Sequence, residues 1–287
     1  MSDKKVIITC DSTCDLSPEL VERYSIPVNP LFVVLSGSPL KDGVEVKPDD
    51  LYDYVEATGS LPSTTAPNVQ NYTDFFKAAA PNGESIVHFT ISSSMSAAYN
   101  NARLAAAELG NVYVVDSKNL STGSGLLVLK AADLADSGMA AGDIAAEVIR
   151  LSDYVDASFI LDTLKFLHKG GRCSAVAALG ANLLKLKPCI EVKSGSMGVG
   201  KKYRGKLADV FLSYAADRIA AAGDVDTDRV FVTHSGVDEQ TVNSVAEKVK
   251  TLAPFKEVIV TRAGCTVSVH CGPGTLGVLF IRKNPVK

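Results

Sequence analysis

Apolar positions along the 287-residue chain alternate between short β-branched runs and longer stretches with helical spacing, and hydroxyl-rich loops separate them. Residues 5–10 are a β-branched run closed by the polar loop Asp11-Ser12-Thr13-Cys14-Asp15, after which Ser17-Pro18-Glu19 opens a helix with proline in its favoured first turn. A second strand is expected over 27–35, a helix with acids in its first turn over 48–58, a proline-bounded loop over 59–67 and an amphipathic helix over 68–79. Residues 86–109 organise this half: an apolar strand, the turn Ser92-Ser93-Ser94-Met95-Ser96, and a helix over 95–109. A strand over 112–115 and helices over 121–136 and 142–152 follow.

The pattern changes at a strand over 157–162. Two glycine turns, at 167–174 and 194–200, come next, the second resembling a hairpin tip. A helix over 206–222, strand over 229–234, helix over 238–252 and strand over 256–262 lead to residues 267–281, read as a glycine turn feeding a last strand.

Alternating strands and helices imply an α/β fold with a parallel sheet covered on both faces. The length favours two domains, an N-terminal one over 1–155 and a mixed α/β one over 156–287. Ligands of such sheets sit beyond the carboxyl ends of the strands, so the loops at Asp11, Gly59, Ser92 and Asp116 are expected to converge on one crevice.

Composition narrows the function. Hydrophobic residues make up 46% of the chain and charged ones 21%, with net charge −3 and no basic block, so no nucleic-acid partner is expected. No apolar run approaches the roughly 20 residues of a transmembrane helix, and the start leads directly into a strand, which points to a cytoplasmic protein. The six cysteines lack C-x-x-C spacing and the four histidines lack metal-ligand spacing, so neither a metal nor a cofactor is expected. His88 and His234 lie in apolar strands and read as core residues.

The chemistry concentrates on hydroxyls. The start of a helix offers unpaired N–H groups and a partial positive charge, and Ser92, Ser93, Ser94 and Ser96 add donors there, so the turn suits a carboxylate or phosphate. His270 precedes a glycine turn that can present it to the same crevice. Asp11, Ser96 and His270 would form the acid, nucleophile and base of a serine hydrolase acting on acyl esters if they met in space. Gly272–Gly277 matches G-x-G-x-x-G but precedes a strand rather than a helix, and no P-loop is present.

With these pieces placed, the chain resembles the DegV family, which contains the fatty-acid-binding subunits of bacterial fatty-acid kinase. The segment CDSTCDLSPEL resembles its D-S-T-x-D-L start, and PSTTAPNVQNY its P-x-T-S-Q-P-S loop, with Thr64 on the motif threonine and Thr65 beside it. ISSSMSAAYNNA resembles I-S-S-x-L-S-G-T-Y-x-S-A, with Ser96 on the motif serine. LHKGGRCS resembles L-x-K-G-G-R-I-S and places Arg172; VSVHCGPGTLGV resembles H-x-G-P-G-x-G and places His270.

The resemblance implies a two-domain fold enclosing a lipid. The implied ligand is a long-chain fatty acid of the palmitate, stearate or oleate class, its carboxylate held by Thr64, Ser96 and His270, with Ser93 and Thr65 nearby. It further implies a separate kinase subunit that forms an acyl phosphate for phospholipid synthesis, the chain itself performing no catalysis. Arg172 and Arg204, on or beside the two glycine turns, are the expected docking residues for that subunit.

Overall fold

A computed structural model describes residues 6–174 and 186–286. In chain order the elements are β1 (Val6–Asp11), α1 (Pro18–Arg23), β2 (Val28–Asn29), β3 (Phe32–Leu35), β4 (Ser38–Lys41), α2 (Pro48–Thr58), β5 (Ser63–Thr65), α3 (Val69–Ala79), β6 (Ser85–Thr90), α4 (Ala98–Leu109), β7 (Val112–Asp116), α5 (Ser121–Asp136) and α6 (Ala141–Ser152). They continue with β8 (Val155–Ile160), α7 (Lys165–Gly170), β9 (Lys187–Lys193), β10 (Ser196–Tyr203), α8 (Leu207–Ala222), β11 (Val225–Ser235), α9 (Glu239–Leu252), β12 (Glu257–Arg262), α10 (Cys265–Cys271) and β13 (Thr275–Arg282).

The fold is α/β and is built on two larger sheets and one small one. A parallel sheet runs β2-β1-β6-β7, and a mixed sheet runs β10-β9-β8-β13-β11-β12, in which β11 and β12 are the parallel pair. The parallel sheet is covered on both faces, as its apolar strands require. In β6, Val87 and Phe89 join the core under α5 and α6, while Ile86 faces Tyr72 and Phe76 of α3 and Ala98, Ala102 and Ala105 of α4. His88 is fully buried beside those aromatics, hydrogen-bonded through Nδ1 to Thr9 at 2.8 Å.

Helix α5 joins the two sheets. Its first nine residues, 121–129, are apolar or small and all buried, as a helix start enclosed on every side must be, and its charged residues Lys130, Asp133 and Asp136 come only after them. Its glycines permit the approach: a Cβ at Gly125 would stand 2.9 Å from the Cys14 carbonyl oxygen, and one at Gly123 would stand 3.2 Å from Cβ of Ala157 in β8.

Several expectations need correction. The run 27–35 is not one strand: Val28–Asn29 extends the parallel sheet, while Phe32–Leu35 leaves it for a small antiparallel sheet, β4-β3-β5. Pro30 lacks an N–H for the ladder, and the Leu31 N–H turns to Ser12 Oγ at 3.1 Å. The hydroxyl loop 59–67 then supplies β5, where Thr64 stands opposite Val33 and Thr65 opposite Phe32.

Second, the helix expected from Met95 begins at Ala98, because the serines close a turn of their own: the N–H groups of Met95 and Ser96 both donate to the Ser92 carbonyl. Third, residues 265–271 are helical although VSVHC alternates like a strand. Cys265 and Val269, four apart, share one face against Val33, Val46 and Leu51, and that contact overrides β-propensity. The glycine turn expected over 167–174 is likewise the end of a helix, α7, closed by Gly171 at φ +67°.

Candidate functional site

Helices and strands from distant parts of the chain enclose a cavity of about 300 Å³. Three segments meet there. The serine turn and the first turn of α4 contribute Ile91, Met95, Ser96 and Asn101; β5 and the residue after it contribute Thr64, Thr65 and Ala66; α10 contributes Val267, His270 and Cys271. Asn101 fixes the first two segments together by donating from Nδ2 to the Pro67 carbonyl at 2.8 Å.

The His270 Nε2 lies 2.8 Å from Thr64 Oγ1, and the ring's Nδ1 is buried without a partner. Gly170 of α7 closes over that face so tightly that a Cβ there would overlap the ring. Burial first, and the neighbouring Arg172 charge second, push the imidazole down to about 4, so the ring is neutral near pH 7. A buried lone pair without a donor is tolerated better than a buried N–H without an acceptor. The proton therefore belongs on Nε2, donating to Thr64 Oγ1. That leaves the threonine's own proton free to donate into the cavity.

Ser96 Oγ accepts from the Ala98 N–H at 3.2 Å, satisfying one of the orphan groups at the start of α4. A hydroxyl that accepts with a lone pair retains its proton for a second partner. Ser96 can therefore cap α4 and still offer its proton to the cavity. Thr65 lines the cavity and is exposed. Ser93 lies outside it: its N–H and hydroxyl both turn to Asp116. Ser92, buried, donates to the Gly195 carbonyl at 2.7 Å and so docks the hairpin of β9 and β10 onto the serine turn.

Arg172, expected on a docking surface, is the one charged side chain among the described residues lining the cavity. Arg204 is exposed just beyond β10, whereas the cavity touches that strand at Met197. Seven residues of extended chain separate those two positions by roughly 20 Å, and Arg204 does not line the cavity.

The remaining wall is apolar: Leu31, Leu120, Phe159, Leu167 and Met197. Sequence reading missed these residues because they come from five unrelated segments. A smaller chamber of about 30 Å³ shares Leu120, Phe159, Val267 and Cys271 with the first and continues to Leu279 and His234. Another concavity, about 370 Å³, has Lys118, Asp153 and Lys193 on its wall and includes none of the expected residues. Among the described residues no cluster of His, Cys, Asp and Glu could hold a metal, and no helix is long and apolar enough to cross a membrane. All six cysteines are buried and unpaired.

The hydrolase triad does not form. His270 Nε2 is taken by Thr64, and both carboxylate oxygens of Asp11 accept from the Tyr72 hydroxyl in the core of the parallel sheet. A mostly apolar cavity that also carries hydroxyls, a neutral imidazole and one guanidinium suits an amphiphilic anion instead.

Comparison with known proteins agrees with this architecture. A family model described as "Uncharacterised protein, DegV family" matches residues 5–283. A DegV domain-containing protein of Clostridium perfringens is 30% identical over 291 residues, covering 98% of this chain and 99% of its own. Among solved structures, a DegV family protein from Thermus thermophilus, described by its fatty-acid binding, superposes with a TM-score of 0.88 at 30% identity over 97% of this chain and 99% of its own. A stearic-acid-binding protein from Eubacterium ventriosum gives 0.84 at 27% identity, covering 96% and 98%.

Proposed function

Because the chain belongs to the DegV family, we propose that it binds a long-chain fatty acid in this cavity and presents the carboxylate to a separate kinase subunit. The observation that carries the reading is the Thr64–His270 hydrogen bond in the wall of a largely apolar cavity that Ser96 and Thr65 also line. In this reading the hydroxyls of Thr64, Ser96 and Thr65 donate to the carboxylate, Arg172 supplies the opposing charge, and the tail lies against Leu31, Leu120, Phe159 and Met197. The solved relatives named for fatty-acid and stearic-acid binding support the ligand class.

Magnitudes divide the work between the two ends of the ligand. Burying a dozen methylenes at about 0.8 kcal/mol each contributes about 10 kcal/mol gross, against an association cost of about 4–15 kcal/mol. The tail therefore supplies most of the affinity. Hydrogen bonds to the charged head, about 1.5–3 kcal/mol each, select a carboxylate and fix where its oxygen sits.

The kinase step extends the family resemblance. Acyl-phosphate formation needs a nucleotide, and the sequence has no P-loop, so the ATP chemistry is assigned to the partner. The test is reconstitution with a bacterial fatty-acid kinase catalytic subunit, ATP and oleate. Acyl phosphate formed only when both proteins are present supports the reading; none formed with this protein fully loaded refutes the presentation role.

A further inference from the structure

Helix α10 carries His270 on its last turn, yet it is only seven residues long. Helices of that length do not hold themselves, and the N–H groups of their first turn need acceptors from elsewhere. The N-cap of α10 is Gly264, which has no side chain to offer. Other segments supply the acceptors. Asp42 Oδ1 accepts from the Cys265 N–H at 2.8 Å and Asp42 Oδ2 from the Thr266 N–H at 3.1 Å, while Asp15 Oδ1 accepts from the Gly264 N–H at 2.8 Å. Ser12 Oγ donates to Asp42 Oδ2 at 2.9 Å. The glycine keeps the contact close: a Cβ at 264 would stand 3.0 Å from Asp15 Oδ1 and 3.4 Å from Asp42 Oδ1, so a larger residue would press on both carboxylates.

Asp42 directly follows β4, in the small sheet whose β5 carries Thr64. That sheet therefore grips α10 at both ends, by a carboxylate at the start and by the Thr64–His270 bond at the finish, about 7.5 Å further along the axis. Between the two grips, Val33, Val46 and Leu51 pack on Cys265 and Val269. Two fixed points set the height and rotation of the helix, and with them the direction of the imidazole.

We infer that Asp42 is a positioning residue for the Thr64–His270 pair, acting through the α10 backbone; its relevance to fatty-acid binding rests on the function proposed above. Asp42 and Asp15 are both buried, and among the described residues no Lys or Arg pairs with either. Asp15 faces Asp42 from the small sheet, Ser121 from α5, and the thiols of Cys14 and Cys271. Burial and the nearby Asp42 charge raise it to about 8 against the bonds from Ser121 and Gly264, so it keeps its proton at neutral pH. Asp42 accepts from two helix N–H groups and one hydroxyl.

The test is Asp42→Asn, alone and combined with Thr64→Val, with two readouts. In ligand-free protein, histidine NMR follows the His270 titration, identified against His270→Gln. Wild type should remain neutral down to about pH 4, and Asp42→Asn should move the midpoint up toward 6.5. Oleate affinity should fall about ten-fold in Asp42→Asn, but by less than about three-fold when Asp42→Asn is added to Thr64→Val, because the effect passes through that pair. Should Asp42→Asn not fold, Ser12→Ala removes one donor to Asp42 and should shift both readouts the same way by less. An unmoved His270 titration in the folded variants, or equal losses of affinity in both backgrounds, overturns the inference. If wild type binds no oleate, the proposed function fails, while the NMR arm still decides the role of Asp42.

Discussion

Thr64 and His270 stand 206 residues apart in sequence and meet through a 2.8 Å hydrogen bond between Oγ1 and Nε2. The contact joins the small antiparallel sheet to α10 and leaves the threonine proton facing the cavity. Thr64→Val should therefore act twice. It deletes a donor to the ligand, and it strands the His270 Nε2–H, a buried donor whose lost partner costs about 1–3 kcal/mol. Calorimetry should show oleate binding weakened about ten- to a hundred-fold, and melting should fall even without lipid. Thr64→Ser should restore most of both; a serine variant as weak as valine would mean that the methyl, not the hydroxyl, is what matters.

Ser96→Ala separates cap from ligand. Loss of the acceptor for the Ala98 N–H should cost about 0.5–2 kcal/mol of stability, and loss of the donor should weaken binding about ten-fold. A melting loss with unchanged affinity would reduce Ser96 to a helix cap.

The two arginines should behave differently. Arg172 is part of the cavity wall, so Arg172→Ala should weaken fatty-acid binding several-fold as well as acyl-phosphate formation. Arg204 is far from the cavity, and Arg204→Ala should leave binding intact while slowing the kinase-dependent reaction. Identical behaviour of the two variants would contradict the placement.

Stability should carry two opposing pH dependences. Asp15 is held near 8 against an ordinary 3.8, so the folded state keeps a proton that the unfolded state releases. Its contribution is complete below about pH 4 and is lost as pH rises toward 8. His270 is held near 4 against an ordinary 6.5, so its contribution is complete above 6.5 and is lost as pH falls toward 4. Asp15→Asn should flatten the alkaline decline in denaturant midpoints, and His270→Gln the acid one. An alkaline decline that survives Asp15→Asn would place the titration elsewhere.

Much of the alternating architecture was legible because strand and helix periods differ, and the serine turn and Thr64 loop were legible because hydroxyls cluster in both. What failed were decisions made by tertiary contact. Pro30 breaks an apolar run that looks continuous, and the break sends Phe32–Leu35 into a second sheet. The VSVHC stretch alternates like a strand, but Cys265 and Val269 share a helical face against the small sheet. The motif singles out Ser96, but nothing local in the sequence shows that the nearby Ser93 is turned away from the cavity by Asp116. The apolar wall and the charge of Arg172 within it depend on how the two larger sheets meet, which no local pattern encodes.

The central claim, that this cavity holds a fatty acid by its carboxylate, is tested most directly by native mass spectrometry. Protein purified from bacteria without detergent is sprayed intact and the released ligand identified. One molecule of a palmitate-, stearate- or oleate-class acid per chain is the expected result, with occupancy sharply reduced in Thr64→Val. A chain that emerges empty and, once delipidated, fails to take up any of these acids would contradict the account.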